Sequence, residues 1–536
     1  MYNPSLEQVA QAIPNSRDST VTRTLNAIHE KATVANIIGL LGGLVTIFCL
    51  LALPSSNLWN IRLPLYLILV IWVLLRPRMA LYLLPIAIPW GSLDTLTIAK
   101  LHADSSDILV ILLIVSWLGS FALRSQGLRK QGPLDQEPFP LPRYLIVAAG
   151  ALLFAMVLST TRALSVNASI KDLIKWIEFL SVLILGATYL RTRKQIWILV
   201  VIICLAGISQ AFYGFEQNFL NLGPQSFIRD GGLRVYGTFG QPNPYAGYIN
   251  MSLPIALALT LLGRNWARRI LGGTAAVLLG SAEYFTRSNG GEIAIAAAAL
   301  FIFVVGFPQL RKLAALGVVG TLLLVAALIA GIVPQRFTLP IMRKLGLVAI
   351  SFKSPSAQDY STAERLAHWI AGIRMFMDHP FTGVGIGNYN VAYPPYHVTI
   401  FVNSLFHAHN YYINIAAETG IIGFVTFLFL LVAIFVSGWH AYRTINSRYM
   451  QLKAKRTTPK AGQSRLEMLQ SSNTLGMFTN DRALAIGLIG SLITVCVHNF
   501  VDNLYVHGMT ILFALFIIAL VRLSKVHAEA ISSKGQ

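Results

Sequence analysis

The chain has 536 residues, of which 55% belong to the apolar set AVILMFWYC and only 12% are charged, and its mean hydropathy is +0.62. A water-facing surface needs nearer a quarter charged residues, so this composition excludes a solvated multi-domain enzyme, a disordered chain and a nucleic-acid binder. Lys and Arg number 42 against 22 Asp and Glu, a net charge of +20; much of that excess sits in short clusters between apolar runs, where the positive-inside rule puts it, and the rest is available to an anionic substrate.

What remains is an all-α polytopic membrane protein. Residues 1–34 are polar, without the apolar core and small-residue cleavage site of a signal peptide, and read as a cytoplasmic N-terminal segment. Spans of about 20 apolar residues are expected to begin near residues 35, 62, 80, 106, 143, 173, 196, 244, 269, 292, 313, 410, 482 and 508, giving about 12–14 transmembrane helices. The chain then divides into N-terminal transmembrane helices over 35–216, a catalytic region over 217–440, a basic cytoplasmic loop over 441–481, C-terminal transmembrane helices over 482–525 and a cytoplasmic tail over 526–536. Cys49, Cys204 and Cys496 all lie in apolar runs with no CxxC, which speaks for packing and against a disulfide framework or a zinc site.

The basic clusters Arg76/Arg78, Arg124/Arg129/Lys130, Arg191/Arg193/Lys194, Arg264/Arg268/Arg269, Arg311/Lys312 and the residues from Arg443 to Arg482 fall on one side if the count is fourteen. Both termini are then cytoplasmic, and loops 217–243, 284–291 and 334–408 face outward. Arg162, Lys171 and Lys175 run against the rule. The stretch 334–408 is too long and too aromatic for a plain connection, which points to function.

Three stretches carry chemistry. In the first, Arg234 precedes Gly237-Thr-Phe-Gly-Gln-Pro-Asn243-Pro244, a turn in which Asn243 reads as a helix N-cap and Pro244 as the first helical residue. A helix N-terminus beside an arginine is an anion site. The second runs from Glu364-Arg365 to Asp378-His379-Pro380. Leu366, Trp369, Ile370, Ile373, Phe376 and Met377 recur at helical spacing, as in an amphipathic helix on the outer surface with Arg365 near its start. Gly383-Val-Gly385-Ile-Gly387 follows with no preceding strand, a tight loop rather than a dinucleotide site. The third is His407-Ala-His409-Asn410-Tyr411-Tyr412 with Glu418 and Gly420, where a helix enters the membrane. No Asp or Glu lies within five positions before His407, and the next after His409 is Glu418, so no metal ligand set is expected.

Together these stretches resemble the O-antigen ligase family and its relatives, the polysaccharide polymerases. The shared pattern is an arginine before a G-x-F-x-x-P-N-x-x-A turn, an arginine opening an amphipathic helix that ends in D-H-P, a G-V-G loop, and H-A-H-N with a glycine after ten further residues. Here those are Arg234 with Gly237 to Ala246, Arg365 with Asp378-His379-Pro380, Gly383 to Gly385, and His407 to Asn410 with Gly420. The late segment His498-Asn-Phe-Val-Asp502-Asn is similar to the family's final spans. Two departures stand out: Trp369 occupies a place where the family often has Leu, and Arg287-Ser288-Asn289-Gly290 stands where relatives often show Ser-Arg-Gly, which shifts or removes any role for an arginine there.

The resemblance implies transfer of a glycan from a polyprenyl (undecaprenyl) diphosphate carrier to an acceptor hydroxyl, lipid or glycan, at the outer face of the cytoplasmic membrane. Expected partners are that donor, the acceptor and membrane lipids; no cofactor is expected. Arg234 and Arg365 would hold the diphosphate, since guanidinium forks suit phosphate oxygens, and His409 would serve as base. Asn243, Trp369, His407, Asn410, Tyr411 and Glu418 are the expected substrate-binding residues. A direct displacement with one base inverts the anomeric carbon. A carrier of a small anion such as bicarbonate is the alternative, but matching Gly/Pro-broken spans with midplane charges are not apparent. In a cysteine-free background, single cysteines at positions 230 and 355 should react with an impermeant thiol reagent added outside, and one at 455 should not; protection of 355 in intact cells would overturn the topology.

Overall fold

The computed structural model describes residues 59–91, 96–98, 101–125, 141–229, 231–330, 351–356, 359–457 and 465–532, with the single residues 43 and 332. Among them the chain forms α1 (Trp59–Leu75), α2 (Arg78–Trp90), α3 (Ser105–Ser125), α4 (Arg143–Ser159), α5 (Val166–Tyr189), α6 (Arg193–Leu220), α7 (Pro242–Leu262), α8 (Trp266–Thr286), α9 (Asn289–Gly306), α10 (Arg311–Ile329), α11 (Tyr360–Asp378), α12 (Tyr389–Ala392), α13 (Tyr411–Thr457), α14 (Arg465–His498) and α15 (Met509–Ser532). Two short antiparallel hairpins interrupt them, β1 (Leu96–Ile98) with β2 (Leu101–Ala103) and β3 (Ile228–Arg229) with β4 (Gly232–Leu233).

The protein is an all-α polytopic membrane protein. Eight of these helices, α3, α4, α6, α7, α9, α13, α14 and α15, are long and apolar enough to cross a membrane. Every expected span start after the first falls in a helix or within one residue of one, and the span expected from 35 lies outside the described residues but for Gly43. Four of the expected spans fall short for local reasons. α1 and α2 are 17 and 13 residues long and contain proline. α5 carries Lys171, Asp172, Lys175 and Glu178, and α8 carries Arg268, Arg269 and Glu283.

α15 is buried on every side from Ile511 to Val521, as expected of a helix that is apolar all round. It packs against α5, α6, α13 and α14, while α14 packs against α7 and α9. The stretch 441–481, expected as a loop, is helical over 441–457 and 465–481: Tyr442, Ile445, Leu475 and Phe478 remain buried, so α13 and α14 continue past their apolar cores.

Polar groups gather at the two ends of the bundle. At one end, Asp481 is fully buried and accepts from Arg193 Nε and Nη2 at 2.6 and 2.7 Å, Trp197 Nε1 at 2.7 Å and His527 at 2.8 Å. Arg264 N donates to Asn480 Oδ1, Arg482 to Asn446 and Val305 O, and Arg522 to Leu190 O. The clusters around Arg193, Arg264 and Arg482 therefore meet on one side of the bundle, as the charge pattern requires.

The other end is built on a glycine-rich dock. Within α13, Gly420 breaks the helix at φ 64°, ψ −164°. Against the break lies 380–389: Ile421 N donates to Pro380 O, Val384 N to Ala417 O, and Gly385 N to Glu418 O. A Cβ on Gly420 would overlap the Phe381 backbone, and one on Gly383, also at positive φ, would overlap Glu418. Asn388 ties the same loop to the α4–α5 connection, accepting from Ser165 N at 2.6 Å and donating to Ser169 Oγ at 2.9 Å. The connection that holds Arg162 thus lies on the side of the glycine loop.

α11 turns a face of small residues inward. It buries Ala363, Ala367, His368, Ala371, Gly372 and Met375, while Ile373 and Met377 stay exposed. Small residues allow close approach: a Cβ on Gly372 would meet Ile413 of α13 at 2.7 Å. Gly420→Ala adds both left-handed strain and overlap, so the purified variant should lose most of its monodisperse fraction on size-exclusion chromatography, whereas Gly280→Ala, with open space around it, should not.

Candidate active site

Arg234 sits between β4 and α7. Its Nε donates to Thr286 O and its Nη2 to Asn243 Oδ1, both at 2.9 Å, so two of the five guanidinium N–H groups are engaged among the described residues. Asn243 is not the helix cap. α7 begins at Pro242, whose fixed φ suits the first helical turn, and Asn243 Oδ1 accepts from Arg234 and from Ser288 Oγ at 3.1 Å.

Burial lowers the Arg234 pKa to about 10; Arg229, Arg365 and Arg287 push it the same way and Asp502 opposes them. Arg365, half-buried on α11, makes no hydrogen bond or ion pair among the described residues. Arg287 ends α8 in left-handed conformation at φ 50°, and its Nη1 is buried without a hydrogen-bond partner. The register shift that put a role for Arg287 in doubt leaves it among the arginines acting on Arg234. Guanidinium groups crowded together with idle donors favour an anion between them.

His409 occupies the turn before α13 at φ 51°. Its Nδ1 stands 3.5 Å from Asp502 Oδ1, and His407 Nε2 stands 3.9 Å from the same oxygen. His407 Nδ1 accepts from His409 N at 3.1 Å, which places the His407 proton on Nε2, facing Asp502. Burial, and then His409, lowers the His407 pKa to about 4, so the ring is neutral at pH 7. Burial alone would raise Asp502; His409 at its oxygen and the neighbouring His407 and His498 reverse this and hold the carboxyl well below the usual range. The ligand atoms of His407, His409 and Asp502 lie within 4.8 Å of one another, a set with the composition of a metal site that neighbouring residues alone did not reveal.

The remaining expected residues have defined places. Trp369 Nε1 donates to His409 O at 3.2 Å. Asn410 Oδ1 caps α13, accepting from Tyr412 N and Ile413 N. Tyr411 is buried against Phe427 and Tyr505, and its N donates to Asn499 O at 2.8 Å. Glu418 is buried and accepts from Tyr389 N at 3.0 Å, pinning the glycine loop. Asn410, Tyr411 and Glu418 are therefore held in the backbone frame, whereas Arg234, Arg365, His407 and His409 gather with Asp502 at one end of the bundle.

Two residues were named in the sequence reading without a role. Arg287 was discounted by register. Asp502 lies 93 positions beyond His409, and its signal was there: a carboxylate and a histidine four residues apart in an otherwise apolar C-terminal region. The search of curated proteins gives no match. Residues 274–428 match the family model described as O-antigen ligase, a segment that contains Arg287, Arg365, Trp369, His407, His409 and Gly420. Over those residues the chain is similar to the O-antigen ligase family, within the fold of a multi-pass membrane protein.

Proposed function

We propose that this protein transfers a glycan from a polyprenyl diphosphate carrier to an acceptor hydroxyl at the outer face of the cytoplasmic membrane, without a metal and with inversion. The observation that carries this reading is the meeting of the Arg234, Arg287 and Arg365 group with the His409–Asp502 pair at one end of the bundle.

The reaction needs two things from the protein. The diphosphate gains negative charge as the bond from the anomeric carbon to its oxygen breaks, and fixed guanidinium groups answer that charge without reorganising. Asn243 and Thr286 O hold Arg234 in place, which leaves its other donors aimed at phosphate. The acceptor hydroxyl must lose its proton as its oxygen attacks the opposite face of the sugar. His409 Nε2 takes that proton, because Nδ1 faces Asp502, and the carboxylate stabilises the imidazolium that forms. The 3.5 Å separation is long for a hydrogen bond, as unliganded sites often are, and shortens as the cation develops.

Purified protein in proteoliposomes with a defined lipid-linked oligosaccharide should release the carrier diphosphate and lengthen or cap the acceptor. Anion flux without carrier consumption would overturn the reading. Arg365→Ala should lower transfer by about 100-fold, the effect of one charge-stabilising donor, and Arg365→Lys should keep a measurable part. His409→Ala should lower transfer by about 100- to 10,000-fold with donor affinity little changed. Asp502→Asn should follow it, and His407→Ala should be milder.

Metal is tested separately, since His407, His409 and Asp502 could hold an ion. Chelator should leave turnover intact. Loss restored by Zn²⁺, Mg²⁺ or Mn²⁺ would move the site to metal chemistry.

A further inference from the structure

Beyond Gly420, α13 runs to Thr457 without an Asp or Glu, whereas His440, Arg443, Arg448 and Lys453 lie in its second half. α4, which packs along α13, contains no acid either. The Ser437 hydroxyl of α13 hydrogen-bonds Tyr144 Oη of α4 at 3.1 Å, and Arg143 is the next residue in the chain. The side chains of Arg143, His440 and Arg443 belong to exposed residues and make no hydrogen bond or ion pair among the described residues. Positive charge is therefore left unanswered by the protein at this level of the bundle.

A groove of about 660 Å³ ends there. Leu428, Val432, Phe435, Trp439, His440 and Arg443 line it, at steps of three and four residues that make one helix face. That face looks away from the bundle: Val432 is 59% exposed and Trp439 43%. At 1.5 Å per residue the apolar part from Leu428 to Trp439 is about 17 Å long, close to half of the ~30 Å hydrocarbon layer, which is the depth of one leaflet. Trp439 then stands where the acyl region gives way to headgroups, the usual place for that side chain, and His440 and Arg443 follow. One turn further, Asn446 Oδ1 accepts from Arg482 Nε at 2.8 Å, so this is the end of the bundle that gathers the basic clusters. Arg443 lies about 35 Å along α13 from Gly420, too far for a diphosphate held by Arg234 and Arg365 to reach it.

We propose that this groove is a binding site for an anionic phospholipid of the leaflet on the basic side. One acyl chain lies along the face from Leu428 to Trp439, and the phosphate meets Arg443 with His440 beside it. An apolar channel one leaflet deep, closed by cations that have no carboxylate partner, has the shape and charge of such a lipid and of no soluble ligand. The site stands apart from the glycan-transfer reading.

Native mass spectrometry of the purified full chain, titrated with phosphatidylglycerol or phosphatidylcholine of identical acyl chains, tests it without turnover. Wild type should retain one phosphatidylglycerol at about fivefold lower concentration than phosphatidylcholine, and Arg443→Ala should remove that preference, the scale of one basic side chain against an anionic lipid. Val436→Trp, which fills the groove from an exposed position, should weaken both lipids. Lys453→Ala, an exposed cation on α13 beyond the groove, should change neither, and glycerol phosphate, a headgroup without chains, should not compete. All three substitutions fall on exposed residues, and size-exclusion profiles check that each variant folds. Equal affinity of wild type for the two lipids would overturn the proposal, as would a loss in Lys453→Ala matching that in Arg443→Ala. Displacement by glycerol phosphate would reduce the site to a phosphate contact, and displacement by polyprenyl phosphate at equal concentration would give the groove to the glycan carrier; either result overturns it.

Discussion

A buried carboxylate organises one end of this molecule. Asp502 is almost wholly removed from solvent and can stay ionised there only if cationic or hydrogen-bonding groups close around it. His407 and His409 approach its oxygen, and its own backbone carbonyl accepts from the start of α13. The C-terminal turn is therefore fixed against α13, α13 against the glycine loop, and that loop against the α4–α5 connection. Each docking brings another group to bear on one small region, and removing the carboxylate would loosen the first of them.

Much of the plan was legible in the sequence because membrane solvation writes it in composition. Apolar runs of spanning length, basic clusters on one side and proline or glycine at their ends gave the helices at the right places. Arg234, Arg365 and His409 stood out because charged and titratable residues at span ends need a reason to be there. The resemblance pointed to the same three.

What could not be read was long-range and geometric. Nothing in the run from His407 to Glu418 announces Asp502, because the pairing is made by the packing of α13 beside α14. Asn243 looked like a cap, and one position of helix boundary was enough to make it an arginine's anchor instead. The spacing of Leu366, Ile373 and Met377 gave α11 an apolar stripe, but close approach to α13 selected alanine and glycine for the face packed on the protein, and Ile373 and Met377 were left outside it. Pattern gives which residues alternate; it does not say whether the neighbour wants volume or proximity.

The distance along the chain between His409 and Asp502 also sets an order in time. A chain made and inserted from its N-terminus presents Arg234, Arg365 and His409 well before the last two spanning helices exist. At roughly 5–20 residues per second, the carboxylate arrives about 5–20 s after the histidine it faces. Until then His409 has no carboxylate beside it, and the turn that α13 rests on is missing. The His409–Asp502 pair is thus absent throughout the chain's own synthesis, and completion of the final hairpin is what assembles it.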